Sequence, residues 1–227
     1  VTTYQAYNAW GGKSLYHWGS SGQQRAAKVS FNRPYAANAQ NPAAAFGMGA
    51  GEFLTNLQPH GAHYPVSNAG WDVNMVRWLE REGYDVAYGT NLDTHDRAPS
   101  RKRCKAFLSI GHDEYWTREM RDHVEAARDA GVHLAFFGAN GAYWQVRMEG
   151  RVMVCHKKGK VDQWRGAALV RPEEQLIGVM YDGDPVDGDI VVATPEHWVF
   201  AGTRLEAGYA LPGLLGYEVD CVQGWGP

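Results

Sequence analysis

Cysteine is scarce in this sequence. Three cysteines occur among 227 residues, and no two of them form a CxxC pair. An odd number of widely spaced cysteines does not indicate a disulfide framework, and the lack of a CxxC pair argues against a zinc knuckle. We therefore expect Cys104, Cys155 and Cys221 to be reduced thiols.

Long apolar runs and an excess of one charge are also missing. No stretch reaches the roughly 18 apolar residues that a membrane-spanning helix needs, and no signal peptide is visible. The 22 basic and 25 acidic residues give a formal net charge of −3, which provides no electrostatic reason to expect nucleic acid or a membrane as partner. A cytoplasmic location is favoured. The chain begins in what reads as a strand, so it fits a fragment of a longer protein, and secretion stays open if an N-terminal segment was removed.

Glycine and aromatic residues, by contrast, are abundant, with 27 Gly, 9 Trp and 12 Tyr. Aromatic side chains with a polar tip, set beside glycine, suit pocket walls and irregular loops, although most of them fill the core. A chain of this length buries roughly 70% of its unfolded surface, which is enough for a core without disulfides. We interpret residues 1–227 as one domain.

Hydrophobic periodicity predicts two helices. The first begins at Trp71 and is stopped by Gly83, and the second is capped by Thr117 and ends at Gly131. The inner faces are formed by Trp71, Met75 and Leu79 in the first helix and by Met120, Val124 and Ala127 in the second.

Short apolar or alternating runs predict strands between and around these helices. The alternation of strands and helices predicts an α/β fold, with an open, mostly parallel sheet flanked by helices and an irregular, strand-rich second half. Aspartate-rich turns are predicted at Asp182–Asp184 and Asp187–Asp189. The predicted strands are Val1–Tyr7, Lys28–Phe31, Tyr84–Tyr88, Ala106–Ile110, Val132–Phe137, Val152–His156, Leu176–Tyr181 and Ile190–Ala193.

Three segments follow predicted strands and carry reactive side chains. In an open parallel sheet, ligands bind beyond the carboxyl ends of the strands. This rule selects the segment from Tyr7 onward, Gly111–Trp116 and Gly138–Trp144.

The turn after the strand Ala106–Ile110 contains His112, Asp113 and Glu114. Nucleophile-elbow enzymes place Ser or Cys at this point, and neither is present, which argues against acyl-enzyme chemistry. A metal site or an acid/base pair fits better. The structural alternative is that Asp113 and Glu114 only provide favourable negative charge at a helix N-terminus.

Asn140 and the tyrosines allow two interpretations each. An Asn flanked by glycines can form a tight turn or aim its amide at a substrate oxygen. A tyrosine loses its proton near pH ~10, so only a strongly charged Lewis acid makes it a ligand. From spacing alone, Tyr7 and Tyr16 read as structural.

Seven stretches resemble one family, and they are distributed over most of the chain. They are TYQAYNAWGGKSLY, KVSFNRPY, VRWLEREGYDVAY, FLSIGHDEYW, FFGANGAYWQVR, LIGVMY and HWVFAGT. Their order and spacing resemble the catalytic domain of the N,N-dimethylformamidase large subunit and its relatives. The resemblance implies a fold similar to the class I glutamine amidotransferase sheet, without its cysteine.

The resemblance also implies a mononuclear Fe(III) site held by two tyrosinates and a glutamate. The glutamate corresponds to Glu114 and the tyrosines to Tyr7, which is preferred over Tyr4, and Tyr16. His112 and Asn140 match positions that contact water or substrate. A lysine of the family site corresponds to Lys157 or Lys158.

This ligand set is chemically coherent, because phenolate and carboxylate oxygens are hard anionic donors that suit a trivalent ion. Fe(III) can polarise an amide carbonyl, while His112 shuttles the proton to the leaving amine and Asn140 holds the carbonyl oxygen. The expected reaction is C–N bond cleavage in a small amide. A homo-oligomer or a small accessory subunit stays open.

Two other classes of function remain open. His112 and Glu114 can act as an acid/base pair without metal, or ligate zinc. Alternatively the domain is a non-catalytic module that binds carbohydrate, another ligand or a partner. The tryptophans considered for stacking on sugars are Trp10, Trp18, Trp116 and Trp144.

Overall fold

Short strands and short helices alternate along the chain in a computed structural model that describes residues 26–32, 71–111 and 113–222. The predicted strand Val1–Tyr7 lies outside these residues. None of the described helices is long and apolar enough to cross a lipid bilayer. The strands are β1 Lys28–Ser30, β2 Ala106–Ile110, β3 Tyr115–Thr117, β4 His133–Phe137, β5 Trp144–Glu149, β6 Val152–Val154, β7 Met180–Val191 and β8 Ala210–Cys221; the helices are α1 Trp71–Arg81, α2 Asn91–Asp96, α3 Arg118–Asp129 and α4 Glu174–Ile177.

The described strands form three small sheets. The largest has the order β1-β6-β5-β3, and the others pair β2 with β4 and β7 with β8. Strand β2 runs parallel to β4, and β3 runs parallel to β5, whereas β1, β6 and β5 pair antiparallel. The structure is therefore mixed α/β, as predicted, but these mixed sheets do not confirm a single open, mostly parallel sheet.

The parallel pairs belong to one strand–helix–strand unit. Strands β2 and β3 precede α3, and β4 and β5 follow it, so the two halves of the unit pair side by side. Each half is interrupted by a loop, which includes residues 111, 113 and 114 in the first half and residues 138–143 in the second. These two loops consequently face each other at one edge.

Helix α3 confirms the second predicted helix. The Thr117 hydroxyl accepts a hydrogen bond from Met120 N at 3.1 Å, which caps the first turn. Gly131 follows the helix with φ of 89°, a conformation that glycine adopts without steric cost. The buried inner face of α3 joins Trp116, Ala142 and Leu176 in one apolar cluster.

A second apolar cluster lies within the four-stranded sheet. Its buried members come from β1, β3, β5 and β6, with Cys155 just beyond the last strand. Both clusters include residues that flank the two facing loops, so the core itself holds the loop ends in place. The members are Val29, Tyr115, Trp144, Val146, Met153 and Cys155.

Two strand predictions were wrong. Residues Tyr84–Tyr88 form no strand; both tyrosines are more than half exposed, and Tyr88 donates a hydrogen bond to Glu80 Oε1 of α1 at 2.7 Å. An alternating pattern forms a strand only where a partner strand is available, and here the side chains fold back on the helix. In the stretch Leu176–Tyr181, Leu176 and Ile177 complete helix α4, and Gly178 caps this helix with φ of 88°. Only Met180 and Tyr181 belong to a strand, as the start of β7.

The two aspartate-rich turns were also predicted wrongly, because both lie inside β7. Pairing with β8 continues through this stretch, with register shifts between Tyr181 and Gly183, between Gly183 and Val186, and between Gly188 and Ile190. Bulges of this kind absorb glycine and aspartate without ending a strand.

Candidate functional site

The loops after β2 and β4 touch through two glycines. Gly111 N donates a hydrogen bond to the carbonyl oxygen of Phe137 at 2.9 Å. A Cβ atom on Gly138 would collide with the carbonyl oxygen of Gly111. Only glycine allows the two backbones to approach this closely, and this approach brings the Asp113–Glu114 and Asn140 loops together.

Asp113 is the most extensively bonded residue of the first loop. Its carboxylate accepts hydrogen bonds from Ser109 Oγ at 2.7 Å and from Asn91 Nδ2 at 2.9 Å. Its carbonyl oxygen accepts from Ala142 N at 2.9 Å. The side chain is largely buried, so it does not simply decorate the start of a helix as the structural alternative supposed.

Glu114 is buried directly after this contact. Its carbonyl oxygen accepts hydrogen bonds from Tyr143 N and Trp144 N, both at 2.9 Å. The carboxylate lies 3.9 Å from Lys157 Nζ, and it accepts no hydrogen bond from the part of the chain that the structure describes. A buried carboxylate is costly unless it is paired and hydrogen-bonded, so this group has unused capacity to bind a cation or a donor.

Lys157, rather than Lys158, is the lysine beside Glu114. Its ammonium group donates a hydrogen bond to the Tyr115 hydroxyl and lies 4.8 Å from the Tyr115 ring and 5.2 Å from the Trp144 ring. These aromatic faces stabilise a cation. Lys158 is exposed.

Asn140 lies in the opposite loop with a left-handed backbone. Its φ is 58°, and Ala142 two residues later has φ of 48°. Non-glycine residues rarely adopt this conformation, and its occurrence is often linked to function. Asn140 N donates to Asp220 Oδ1 of β8 at 2.8 Å. The buried Asn140 Oδ1 has no hydrogen-bond partner among the residues described.

Tyr143, at the end of this loop, contacts Gln163 and Arg165. The Tyr143 hydroxyl accepts a hydrogen bond from Gln163, and its ring packs at 5.0 Å from the Arg165 guanidinium. Arg165 also pairs with the buried Glu173. Burial raises the pKa of the Tyr143 hydroxyl, and the Arg165 charge opposes that shift, so Tyr143 is held as a neutral phenol.

The remaining predicted site residues lie outside the described ones. These are Tyr4, Tyr7, Tyr16 and His112, so their predicted roles stay predictions. Of the tryptophans considered for carbohydrate binding, Trp116 is fully buried and Trp144 nearly so, which leaves neither ring face open to a sugar. Across residues 26–32, 71–111 and 113–222, no three His, Cys, Asp or Glu side chains come together as a metal-binding group.

Sequence reasoning missed three contributors to this site: Asn91, Ser109 and Asp220. Asn91 and Asp220 lie 22 residues from Asp113 and 80 residues from Asn140, respectively. Such distant partners leave no local pattern. Ser109 had a weak signal, since a polar residue within a buried apolar run needs a hydrogen-bond partner.

Comparison with known proteins identifies the family of this chain. A family model described as N,N-dimethylformamidase beta subunit-like, C-terminal, matches residues 1–227. A protein named N,N-dimethylformamidase beta subunit, from Alcaligenes sp, is 29% identical over 119 residues, which cover 49% of this chain and 15% of that protein. The match thus spans a small part of that relative's length. By its match along the whole length, the chain belongs to the N,N-dimethylformamidase beta subunit-like, C-terminal family.

Proposed function

We propose that this chain is the catalytic part of an amide hydrolase that cleaves the C–N bond of a small amide with a mononuclear Fe(III) ion. The observation that carries the proposal is the Glu114 carboxylate, buried at the meeting point of two strand-end loops and without a hydrogen-bond donor among the described residues. Membership of the dimethylformamidase-like family supplies the reaction class.

Among the described residues, Glu114 would be a ligand of such an ion. Carboxylate oxygen is a hard anionic ligand of the kind that a trivalent ion prefers, and binding a cation would compensate the buried charge of Glu114. Tyr7 and Tyr16 would complete the ligand set as tyrosinates. When bound, a trivalent ion supplies Lewis acidity toward an amide carbonyl.

The chain's own residues then bind and orient the amide. Asn140 would donate its side-chain N–H to the carbonyl oxygen and stabilise negative charge that develops there. The close contact between Gly111 and Gly138 brings the loops that carry Glu114 and Asn140 together. His112 would transfer a proton to the leaving amine, because histidine is the side chain best suited to proton transfer near neutral pH.

Lys157 has a separate role beside the ligand. Its ammonium group balances the charge of Glu114 at 3.9 Å and holds the Tyr115 hydroxyl by a hydrogen bond. A positive charge at this position also favours a substrate or product with partial negative charge, such as the carboxylate that amide hydrolysis releases.

The same pair supports a second candidate function. Lys157 partly compensates Glu114 without any metal, so Glu114 with His112 can serve as an acid/base pair in a metal-free or zinc-dependent hydrolase. Metal content distinguishes this candidate from the iron enzyme.

Additional parts of the enzyme belong to the proposal as well. The relative from Alcaligenes sp is named as a beta subunit, and we expect this chain to work with a further subunit or a second copy. The strand–helix–strand unit around α3 is also compatible with the class I glutamine amidotransferase-like sheet.

The decisive experiment is metal analysis of the freshly purified full chain together with its visible absorption spectrum. Stoichiometric iron with a tyrosinate-to-iron charge-transfer band is expected, and Glu114→Gln should lose at least about 90% of the iron, since one of three protein ligands is gone. Glu149→Gln is the matched control, because Glu149 is more than half exposed and its ion pair is with Lys28 at the surface.

Activity is measured as amine release from a series of small amides. Iron-loaded chain should release amine, and Glu114→Gln should not. Zinc, or no metal even after iron is offered, would rule out the ferric mechanism and favour the acid/base candidate. Retention of iron by Glu114→Gln would remove Glu114 from the ligand set.

A further inference from the structure

We propose that Asp113 is a positioning residue that fixes both the proposed ligand Glu114 and the loop carrying Asn140. The proposal rests on the proposed function for the roles of Glu114 and Asn140, but its structural part does not depend on iron. Asp113 touches neither the proposed ion nor the substrate, and it acts through its hydrogen bonds.

The Asp113 carboxylate joins two separate elements. Ser109 belongs to β2 and Asn91 is the first residue of α2, and each donates to a different oxygen of the carboxylate. An ionised carboxylate is an acceptor with two oxygens, so two donors match it without leaving a buried polar group unsatisfied. Both donors belong to regular secondary structure. Their hydrogen bonds therefore hold the Asp113 carboxylate, and the backbone attached to it, in place.

That position determines the alignment of the two loops. Asp113 O accepts from Ala142 N, and Glu114 O accepts from Tyr143 N and Trp144 N. These three bonds run directly from the Asp113–Glu114 backbone to the loop after β4. Ala142 is held with φ of 48°, a conformation that strains a non-glycine residue, so its bond to Asp113 helps to maintain a strained turn.

The consequence is that Asp113 controls the separation of Glu114 and Asn140. If its carboxylate lost both donors, the Gly111–Glu114 turn would be free to shift, and the backbone bonds to residues 142–144 would loosen. The ligand and the amide would then no longer converge on one point, and misplacement of about 1 Å is enough to reduce catalysis about a hundredfold.

Four variants of the full chain test this role. Asp113→Ala removes both acceptors. Asp113→Asn keeps both bonds, because its oxygen can accept from Asn91 while its amide donates to the Ser109 hydroxyl. Asn91→Asp places two carboxylates against each other, and the double variant Asn91→Asp/Asp113→Asn restores a donor–acceptor pair with the groups exchanged. Asp129→Asn, at a largely exposed carboxylate at the end of α3, is the matched control.

The first readout is hydrogen–deuterium exchange in the peptide that spans residues 138–146, followed by mass spectrometry. Asp113→Ala and Asn91→Asp should speed exchange of its protected amides at least about tenfold, whereas Asp113→Asn, the double variant and Asp129→Asn should stay within about twofold of the original chain. Should Asp113→Ala fail to fold, the comparison of Asn91→Asp with the double variant still decides the question.

The second readout is iron affinity by competition with a chelator. Asp113→Ala should weaken it about tenfold, the lower end of the range for groups that orient a ligand, and Asp113→Asn should restore it. Unchanged exchange in Asp113→Ala, or no recovery in the double variant, would overturn the proposal. If the original chain binds no iron, the proposed ferric function fails while the exchange result still decides the positioning role.

Discussion

Asn140 combines an unusual backbone with a proposed chemical role, and two substitutions separate them. Glycine accepts a φ of 58° without steric cost, whereas alanine is strained there by about 1 kcal/mol. We expect Asn140→Gly to unfold in urea with a free energy about 1 kcal/mol higher than Asn140→Ala. Both variants lack the amide and should lose activity by at least about a hundredfold, as for other oxyanion donors.

Equal stability of the two Asn140 variants would show that the left-handed conformation is not a source of strain. A large difference in their activities, measured as amine release, would show that strain rather than the amide determines catalysis. The two measurements therefore address independent properties of one residue.

The buried thiol of Cys155 leads us to expect that the free energy of unfolding depends on pH. Burial raises the pKa of its thiol to about 12, helped by Asp162 and Glu114 and opposed by Lys157 and Arg147. Because the folded pKa lies above the unfolded value of about 9, the stabilisation is complete below pH 9 and is lost as the pH rises toward 12. Cys155→Ala should flatten the fall of unfolding free energy over this range, relative to the original chain.

The control for Cys155 is Cys104→Ala, because Cys104 is only partly buried. Urea unfolding at several pH values between 8 and 11 measures both variants. Parallel curves for Cys155→Ala and the original chain would contradict the assignment of this pH dependence to the buried thiol.

The candidate site was only partly predictable from individual residues. Glu114 and Asn140 were found because each follows a strand, and the edge of a parallel pair collects such residues. Asp220 supports Asn140 from a strand 80 positions away, and no spacing rule connects them. The sequence did not distinguish Lys157 from Lys158, whereas the structure places the Lys157 ammonium group over the Tyr115 and Trp144 rings.

Among the elements, α3 depends on its cap more than α2 does. Thr117 is buried, bonds Met120 N and shares a further hydrogen bond with His95 Nδ1 at 2.8 Å. We expect Thr117→Ala to lower the free energy of unfolding by about 1–2 kcal/mol, the upper part of the range for such caps. Thr90→Ala, at the exposed cap of the six-residue α2, should cost about 0.5 kcal/mol.

Thermal and urea unfolding compare the two cap variants under the same conditions. If Thr90→Ala destabilised the protein as much as Thr117→Ala, burial and the second bond to His95 would not be the reason for the difference. Comparing the effect of His95→Ala in the Thr117→Ala background with its effect in the original chain then measures how much of the lost unfolding free energy comes from that hydrogen bond.

Helices and strands were predicted correctly where the sequence has both a hydrophobic periodicity and residues that mark where the element ends. Helix α3 has an apolar face, a threonine cap and a glycine stop, and β2 was predicted at Ala106–Ile110 with its observed bounds. The segments Tyr84–Tyr88 and Leu176–Tyr181 have apolar residues but no feature that selects a strand over its alternatives. Whether a partner strand exists is decided elsewhere in the chain.

At the scale of the whole molecule, Arg121 ties the segment before α4 to α3. Its fully buried guanidinium donates to the carbonyl oxygens of Arg171 and Pro172, pairs with Glu125 and lies 5.0 Å from the Trp164 ring. Arg121→Met keeps much of the volume but leaves these acceptors unsatisfied. The free energy of unfolding should fall by about 3 kcal/mol, as for other broken buried charge pairs.

Arg128→Met serves as the comparison for Arg121→Met, because Arg128 lies about two turns further along the same helix and is more exposed. We expect a loss below about 1 kcal/mol there. Arg121→Lys should recover only part of the stability, since lysine lacks the planar fork that reaches both carbonyl oxygens. If Arg128→Met and Arg121→Met lost equal amounts of unfolding free energy, Arg121 would have no special role in connecting the segment before α4 to α3.

The sequence by itself determined the mixed α/β class of the fold, the helix α3 and the strands β2 and β4 beside it, and it predicted two of the proposed site residues, Glu114 and Asn140. These depend on local patterns: periodicity, caps and the position of a residue at a strand end. Only the tertiary structure decided that the strands divide into small mixed sheets and that β7 continues through its aspartates. It also decided that Lys157 lies beside Glu114 and that Asn91 and Ser109 donate hydrogen bonds to Asp113. These depend on contacts between residues far apart in the chain, which form only when packing brings their elements together.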